Sequence, residues 1–161
     1  MARRSEVSAG LLVYRRKPEL QVLLAHPGGP FWAKKDAGVW TIAKGLVESG
    51  DLLACARREF TEETALDVAG PFFPLGPVKQ KSGKTVHAFA VEADLDLAHC
   101  RSNTFEVEWP PRSGKRRSFP EIDRVAYFDM PSAMEKILAY QQPFLRELVE
   151  KTGVDAAHTR L

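Results

Sequence analysis

The sequence predicts one α/β (α+β) domain in which helices pack against a sheet. Apolar or alternating stretches over residues 8–14, 20–25, 85–94 and 122–128 read as strands. Helical spacing interrupts them over residues 51–64 and 131–149. No repeat, low-complexity stretch or linker divides the chain, and 161 residues suffice for one core. Strands followed by helices at two points make a sheet with helices laid on it.

In chain order, strands 8–14 and 20–25 are joined by a charged turn containing Pro18. A loop over residues 26–38 is dense in breakers, yet carries His26, Phe31, Trp32, Lys34 and Lys35. Trp40, Thr41 and Ile42 predict a short strand, and residues 44–50 a loop. Asp51 is a good N-cap for a helix running to about Thr64. Beyond Gly70, strands are expected over 72–80 and 85–94 around the turn 81–84. A further strand, 104–109, is stopped by Pro110 and Pro111. Residues 112–117 form the one dense basic patch, read as a solvated hairpin tip with a Ser-Gly turn. The strand 122–128 leads into a helix over 131–149 with Pro131 near its first position. Residues 1–151 are expected to make the domain and 152–161 a C-terminal tail.

Composition narrows the function classes. Hydrophobic residues are 44% and charged residues 27%, ordinary for a soluble protein. The longest apolar runs are far short of a membrane span, and the N-terminus has no signal-peptide core, so the expected location is cytoplasmic. A net charge of +2, from 23 basic and 21 acidic residues, offers no general attraction to nucleic acid. Cys55 and Cys100 make neither a metal pair nor a disulfide framework, and Cys55 is read as a packing residue.

The informative stretch is the helix ending at Thr64. At about 100° per residue, Glu59, Glu62 and Glu63 share one arc, while Leu53, Ala56, Phe60 and Thr64 fall on a neighbouring arc toward the core. Carboxylates three and four residues apart repel one another. A hard divalent cation with oxygen ligands would relieve that repulsion. A solvated acidic face is the plainer reading of the helix by itself. The glycine-bearing loop over residues 43–50 tips the balance, because it can offer backbone carbonyls to the same ion.

Residues 45–66, from Gly45 through Arg58, Glu59, Glu62 and Glu63 to Leu66, resemble the Nudix box, G-x5-E-x7-R-E-U-x-E-E-x-G-U with U aliphatic. The flanking strands and C-terminal helix extend the resemblance over essentially the whole domain. It implies an α/β/α sandwich with a mixed central sheet. Three departures stand out. Gly45 lies thirteen residues before Arg58 instead of fourteen, so the first box glutamate has no clean counterpart, with Asp51 or Glu48 as stand-ins. Ala65 replaces the glycine near the helix end, and Ala43 stands where proline is common in related diphosphohydrolases.

The resemblance implies magnesium, with manganese as the alternative ion. Its ligands would be Glu62, Glu63, Glu59 and the backbone carbonyl of Lys44, with Arg58 holding Glu59 in place. Glu59 would also serve as base toward the attacking water. A further carboxylate beyond the box is expected, with Glu121 the candidate and Glu92 its weaker rival. For substrate, Trp32, Lys34, Lys35 and Lys44 are the binding candidates, beside His26, Phe31, Phe89 and the hairpin lysines Lys79, Lys81 and Lys84. His87 is read as a strand residue. The implied activity is metal-dependent cleavage of a phosphoanhydride in a nucleoside-diphosphate-X substrate. The Trp40–Gly45 approach to the box resembles the Trp-x-x-Pro-Lys-Gly of dinucleoside polyphosphate hydrolases, which implies dinucleoside polyphosphates or nucleoside triphosphates as substrates. The alternative is a nucleotide-binding or regulatory domain of the same fold that hydrolyses poorly. An RNA-binding role would lean on residues 112–117 and lacks support from the net charge. Homo-oligomerisation is left open.

Overall fold

The structure, a computed structural model, describes residues 6–153. β1 (Val7–Arg16) and β2 (Leu20–Pro27) pair antiparallel, Tyr14 opposite Val22. β3 (Ala43–Leu46) pairs antiparallel with β1 and leads into α1 (Leu52–Thr64). β4 (Phe72–Pro74), β5 (Val78–Lys79) and β6 (Thr85–Glu92) follow, with β6 parallel to β1. β7 (Thr104–Glu108) and β8 (Arg116–Pro120) form a separate hairpin. β9 (Ile122–Asp129) returns antiparallel to β2, and α2 (Met130–Lys136) and α3 (Gln142–Thr152) follow it. The sheet order is β4-β6-β1-β2-β9, with β3 attached to β1 and β5 to β6.

Both faces of this mixed sheet are covered, which explains why β1 is a continuous apolar run. Ala9, Leu11 and Val13 meet Cys55, Ala56 and Phe60 of α1 in one core. Leu12 and Tyr14 belong to the opposite core with Ala133 of α2 and Phe144, Leu145 and Leu148 of α3. This is the α/β/α sandwich expected. Cys55 is buried in the first core, consistent with a packing role.

Several expected elements are corrected. Trp40 and Thr41 make only isolated bridges, to Ile137 and Ala25, and the true strand starts at Ala43, inside the expected loop. Gly45, which suggests a loop, instead pairs in β3 opposite Ala9, and an ideal Cβ on the neighbouring Gly10 would lie 2.4 Å from the Ala43 carbonyl, so the β1–β3 approach needs a residue without one. The strand expected over 72–80 is split around Leu75, Gly76 and Pro77. The strand β8 has no alternating signal to announce it. The helix expected over 131–149 breaks at Ile137, whose extended backbone bridges Trp40, and Pro143 starts α3 instead of continuing α2. Thr152, assigned to the tail, closes α3; the remainder of the expected tail beyond Gly153 lies outside the described residues.

The end of α1 carries strain. Ala65 caps the helix in the left-handed region at φ 63, its N–H bonded to the Thr61 carbonyl. A side chain there costs about 1 kcal/mol relative to glycine. Ala65→Gly is expected to stabilise the fold by about 1 kcal/mol. Thermal unfolding would show this as a higher Tm, and a lower Tm would refute the strain.

Candidate active site

The site is built around the C-terminal half of α1. Asp51 caps the helix start, its carboxylate accepting from the Leu53 N–H at 3.3 Å, and the Cys55, Ala56 and Phe60 face holds the helix on the sheet. At the other end the segment after β6 docks onto the free carbonyls. The Arg101 N–H donates to the Thr64 carbonyl at 2.8 Å and the Asn103 N–H to the Glu62 carbonyl at 3.2 Å. The Asn103 carbonyl then accepts from the Glu121 N–H at 2.7 Å, and Ser102 Oγ accepts from the Ile122 N–H at 2.9 Å. One three-residue segment thus ties the carboxylate turn of α1 to the start of β9. Sequence reasoning missed Asn103, and no signal marks it because it acts through its backbone.

That tie brings Glu121 into the electrostatic company of α1. Glu63 is only 9% exposed, and its pKa is pushed up to about 8 by burial first, then by the charges of Glu59 and Glu121. The Lys44 charge and a hydrogen bond from the Lys44 backbone pull it partly back. Glu59, 18% exposed at its side chain, is raised by burial and then by Glu62, with Glu121 adding to the effect. Glu62 is the outermost of the three at 44%. All three stand toward the negative end of the α1 dipole, and the last turn contains no basic residue.

Arg58 lies 3.6 Å from Glu59 and 3.8 Å from Glu62, reaching two carboxylates from the solvent side. Such exposed contacts offset little of the repulsion. Neither stand-in for the missing box glutamate pairs with Arg58: Asp51 is spent on the helix cap, and Glu48 lines the cleft nearby. Lys44, half-buried, supplies positive charge from the other side; burial holds its pKa below the usual lysine range, and Lys84 lowers it further. Gly45 leaves room for the Glu59 carboxyl group: an ideal Cβ there would lie 2.1 Å from its carboxyl carbon, so a side chain at this position would displace Glu59.

A cleft of about 370 Å³ opens over this face, lined by Leu46, Glu48, Ser49, Arg58, Glu59 and Glu62. A smaller one of about 230 Å³ reaches Glu63 from the side of Arg101 and Arg124. Among the described residues no three acidic, histidine or cysteine side chains are gathered closely enough to enclose an ion. What favours a divalent cation here is charge, not a preformed cage: a buried carboxylate forced toward its neutral form, two carboxylates beside it, and a helix end that repels them all.

The other candidates separate. Trp32, Lys34 and Lys35 lie exposed on the loop after β2, with the Lys35 ammonium 5.2 Å from the Trp32 ring centre. That loop starts beside the site, the Gly28 N–H donating to the Glu121 carbonyl at 2.8 Å. His26 is corrected: it is fully buried and cannot meet a phosphate. Its Nδ1 lies 2.8 Å from Asp123 and its Nε2 2.6 Å from the Lys35 carbonyl, so it clamps the loop to β9. Glu92 ends β6 and faces Arg16 at 3.9 Å. Lys84 pairs with Glu6 at 3.1 Å, while Lys79 and Lys81 lie exposed near it. Phe89 packs against the α1 core, and His87 sits half-buried in β6. No helix among the described residues is long and apolar enough to cross a membrane.

The model of the NUDIX domain matches residues 4–142 of the chain. The fold is similar to that of a C. elegans Ap4A hydrolase binary complex, at 20% identity and TM-score 0.61, covering 91% of this chain and 98% of that one. It is also similar to the NUDIX domain of Shewanella oneidensis NrtR complexed with ADP ribose, at 15% identity and TM-score 0.63, covering 94% and 90%. A MutT protein from Methanosarcina mazei Go1 aligns at 18% identity and TM-score 0.61, covering 94% and 98%. No curated protein matches the chain.

Proposed function

The chain belongs to the Nudix family, and on that footing we propose that it hydrolyses a phosphoanhydride bond in a nucleoside-diphosphate-X substrate, with magnesium as its ion. Nudix neighbours support nucleotide pyrophosphohydrolase-type chemistry in general, and Ap4A hydrolase and an ADP-ribose-bound domain stand among them. The observation that carries the reading is Glu63, buried and pushed to about 8 by burial and by two carboxylate neighbours. Packing alone gives no reason to keep such a charge, whereas a divalent cation does.

In this reading Glu62, Glu63 and Glu59, with the Lys44 carbonyl, would hold the ion. When bound it neutralises phosphate oxygens, acidifies a water and stabilises the leaving group. Glu59, whose pKa is raised by burial and then by the Glu62 charge and which packs on Gly45, accepts the proton of the attacking water. Arg58 orients Glu59 and Glu62 from the solvent side. Glu121, carried to α1 by Asn103, completes the acidic rim. Lys34, Lys35 and Trp32 lie on the loop that begins at Glu121, placed to meet the rest of the substrate.

A panel of nucleoside triphosphates, dinucleoside polyphosphates and nucleotide sugars, assayed with and without magnesium, tests the proposal. Turnover of at least one member that vanishes in chelator is expected. Glu121→Ala should lower its rate about tenfold or more. Ligand-induced stabilisation without product from any member would favour the regulatory-domain reading, which the shortened box and the strained Ala65 motivate.

A further inference from the structure

We infer that the β7–β8 hairpin and the loop after β2 together form a nucleobase subsite, with Phe31 and Trp109 as its specificity-determining residues; this deepens the proposed hydrolase reading and rests on it. Among the described residues only three large hydrophobic side chains are exposed: Phe31 at 57%, Trp32 at 39%, and Leu46 in the wall of the carboxylate cleft. Two of the three are adjacent on one loop, and that loop leans on the hairpin. The Phe31 and Trp109 rings meet edge to face at 5.4 Å, and the Phe105 ring occupies the space where a side chain on Gly29 would stand.

The hairpin is amphipathic. Phe105, Val107, Trp109 and Phe119 are half-buried on one face, while Glu106, Glu108, Arg116 and Ser118 stand exposed on the other. It pairs with no strand of the main sheet. A two-stranded ribbon of this kind is marginal by itself, so its aromatic face and the loop hold each other in place.

Position identifies the occupant. Both roots of the hairpin and the start of the loop converge on Glu121: Asn103 accepts from its N–H, Pro120 precedes it, and Gly28 donates to its carbonyl. Phe31 is three residues from Gly28, at most about 10 Å of extended chain. That is the reach of a sugar and its phosphates, so a substrate with its anhydride at the carboxylates would lay its base on these rings. Base-on-aromatic stacking is a favourable use for such exposed ring faces. Positive charge lies against the aromatics, with the Lys35 ammonium 5.2 Å from the Trp32 ring centre and the Arg117 guanidinium 5.7 Å from that of Phe119; among the described residues only Arg116 of the tip has an acidic partner, Glu106. An anionic ligand with an aromatic end fits both features.

The experiment compares wild type with Phe31→Ala, Trp109→Ala and Trp109→Phe. Steady-state rates are measured on nucleoside triphosphates and on inorganic tripolyphosphate, which has the anhydride but no base. The alanine variants should raise KM for nucleotides about tenfold, with a much smaller change in kcat and in tripolyphosphate turnover. Trp109→Phe should recover most of the loss. Equal losses on both substrate types, an unaltered nucleotide KM, or conversion of a dimer to a monomer by these variants would overturn the inference, the last by making the patch an interface between copies. If wild type cleaves no phosphoanhydride, the hydrolase reading falls separately. The subsite is then judged by quenching of tryptophan fluorescence with adenosine monophosphate in chelator: quenching diminished in Trp109→Phe supports it, and no quenching in wild type overturns it.

Discussion

Glutamine at Glu62 and Glu63 together is expected to lower phosphoanhydride hydrolysis by about a thousandfold or more while leaving the protein folded. Glutamine keeps the shape of glutamate, and Glu63 is the most buried carboxylate of the α1 turn, wedged between the charges of Glu59 and Glu121. Removing its charge relieves a cost in the metal-free protein, because the ionised form is disfavoured by burial and repulsion alike. The same change deletes the strongest reason for a cation to bind. Activity and stability should therefore move in opposite directions, the rate falling while the metal-free Tm holds or rises. Initial rates with saturating magnesium, together with calorimetric titration of the ion, measure both sides. A double variant retaining rates within tenfold of wild type would remove these residues from the mechanism.

The second large effect is a pH-dependent stability that magnesium reverses. Glu63 has a folded pKa of about 8 against an unfolded value of 4.5, so between those limits the folded chain binds the extra proton. Its contribution is fully present below 4.5 and is lost as pH rises toward 8, at up to about 1.4 kcal/mol per pH unit. Glu59, raised in the same direction, adds to the slope. Lys44 has the opposite sign: held below 10.5 chiefly by burial, it adds stability as pH rises toward that value. The metal-free protein should thus be less stable at pH 8 than at pH 6, and Glu63→Gln should flatten the profile. Added magnesium should stabilise more at pH 8 than at pH 6, since below 8 it must displace the Glu63 proton. Denaturant titrations at several pH values, with chelator and with the ion, measure these differences. A flat wild-type profile in chelator would refute the coupling.

Much of this site was legible because its chemistry is local. Asp51 as cap, the apolar arc through Ala56 and Phe60, and the acidic arc through Glu59, Glu62 and Glu63 all follow from periodicity within one helix, and α1 begins and ends close to its expected bounds. Glu121 could be named only as the further carboxylate that the family resemblance implies, and its closeness to Glu59 and Glu63 depends on Asn103, which joins two elements through backbone groups that every residue shares. His26 was legible as a titratable group in a loop rich in cations. Only burial between Asp123 and the Lys35 carbonyl turned it from a substrate contact into a clamp.

By itself the sequence determined which segments are strands and helices over most of the sheet, and the capped helix that carries three carboxylates on one arc. Periodicity, capping and like-charge spacing act over a few residues, so they are written along the chain. The tertiary structure alone decided that Gly45 lies in a strand instead of a loop, that Gly10 lets that strand approach β1, that Ile137 breaks the last helix to meet Trp40, and that Phe31 faces Trp109. Each of those depends on which distant segment is brought alongside, and pairing across tens of residues is set by the packing of whole layers, not by any local pattern.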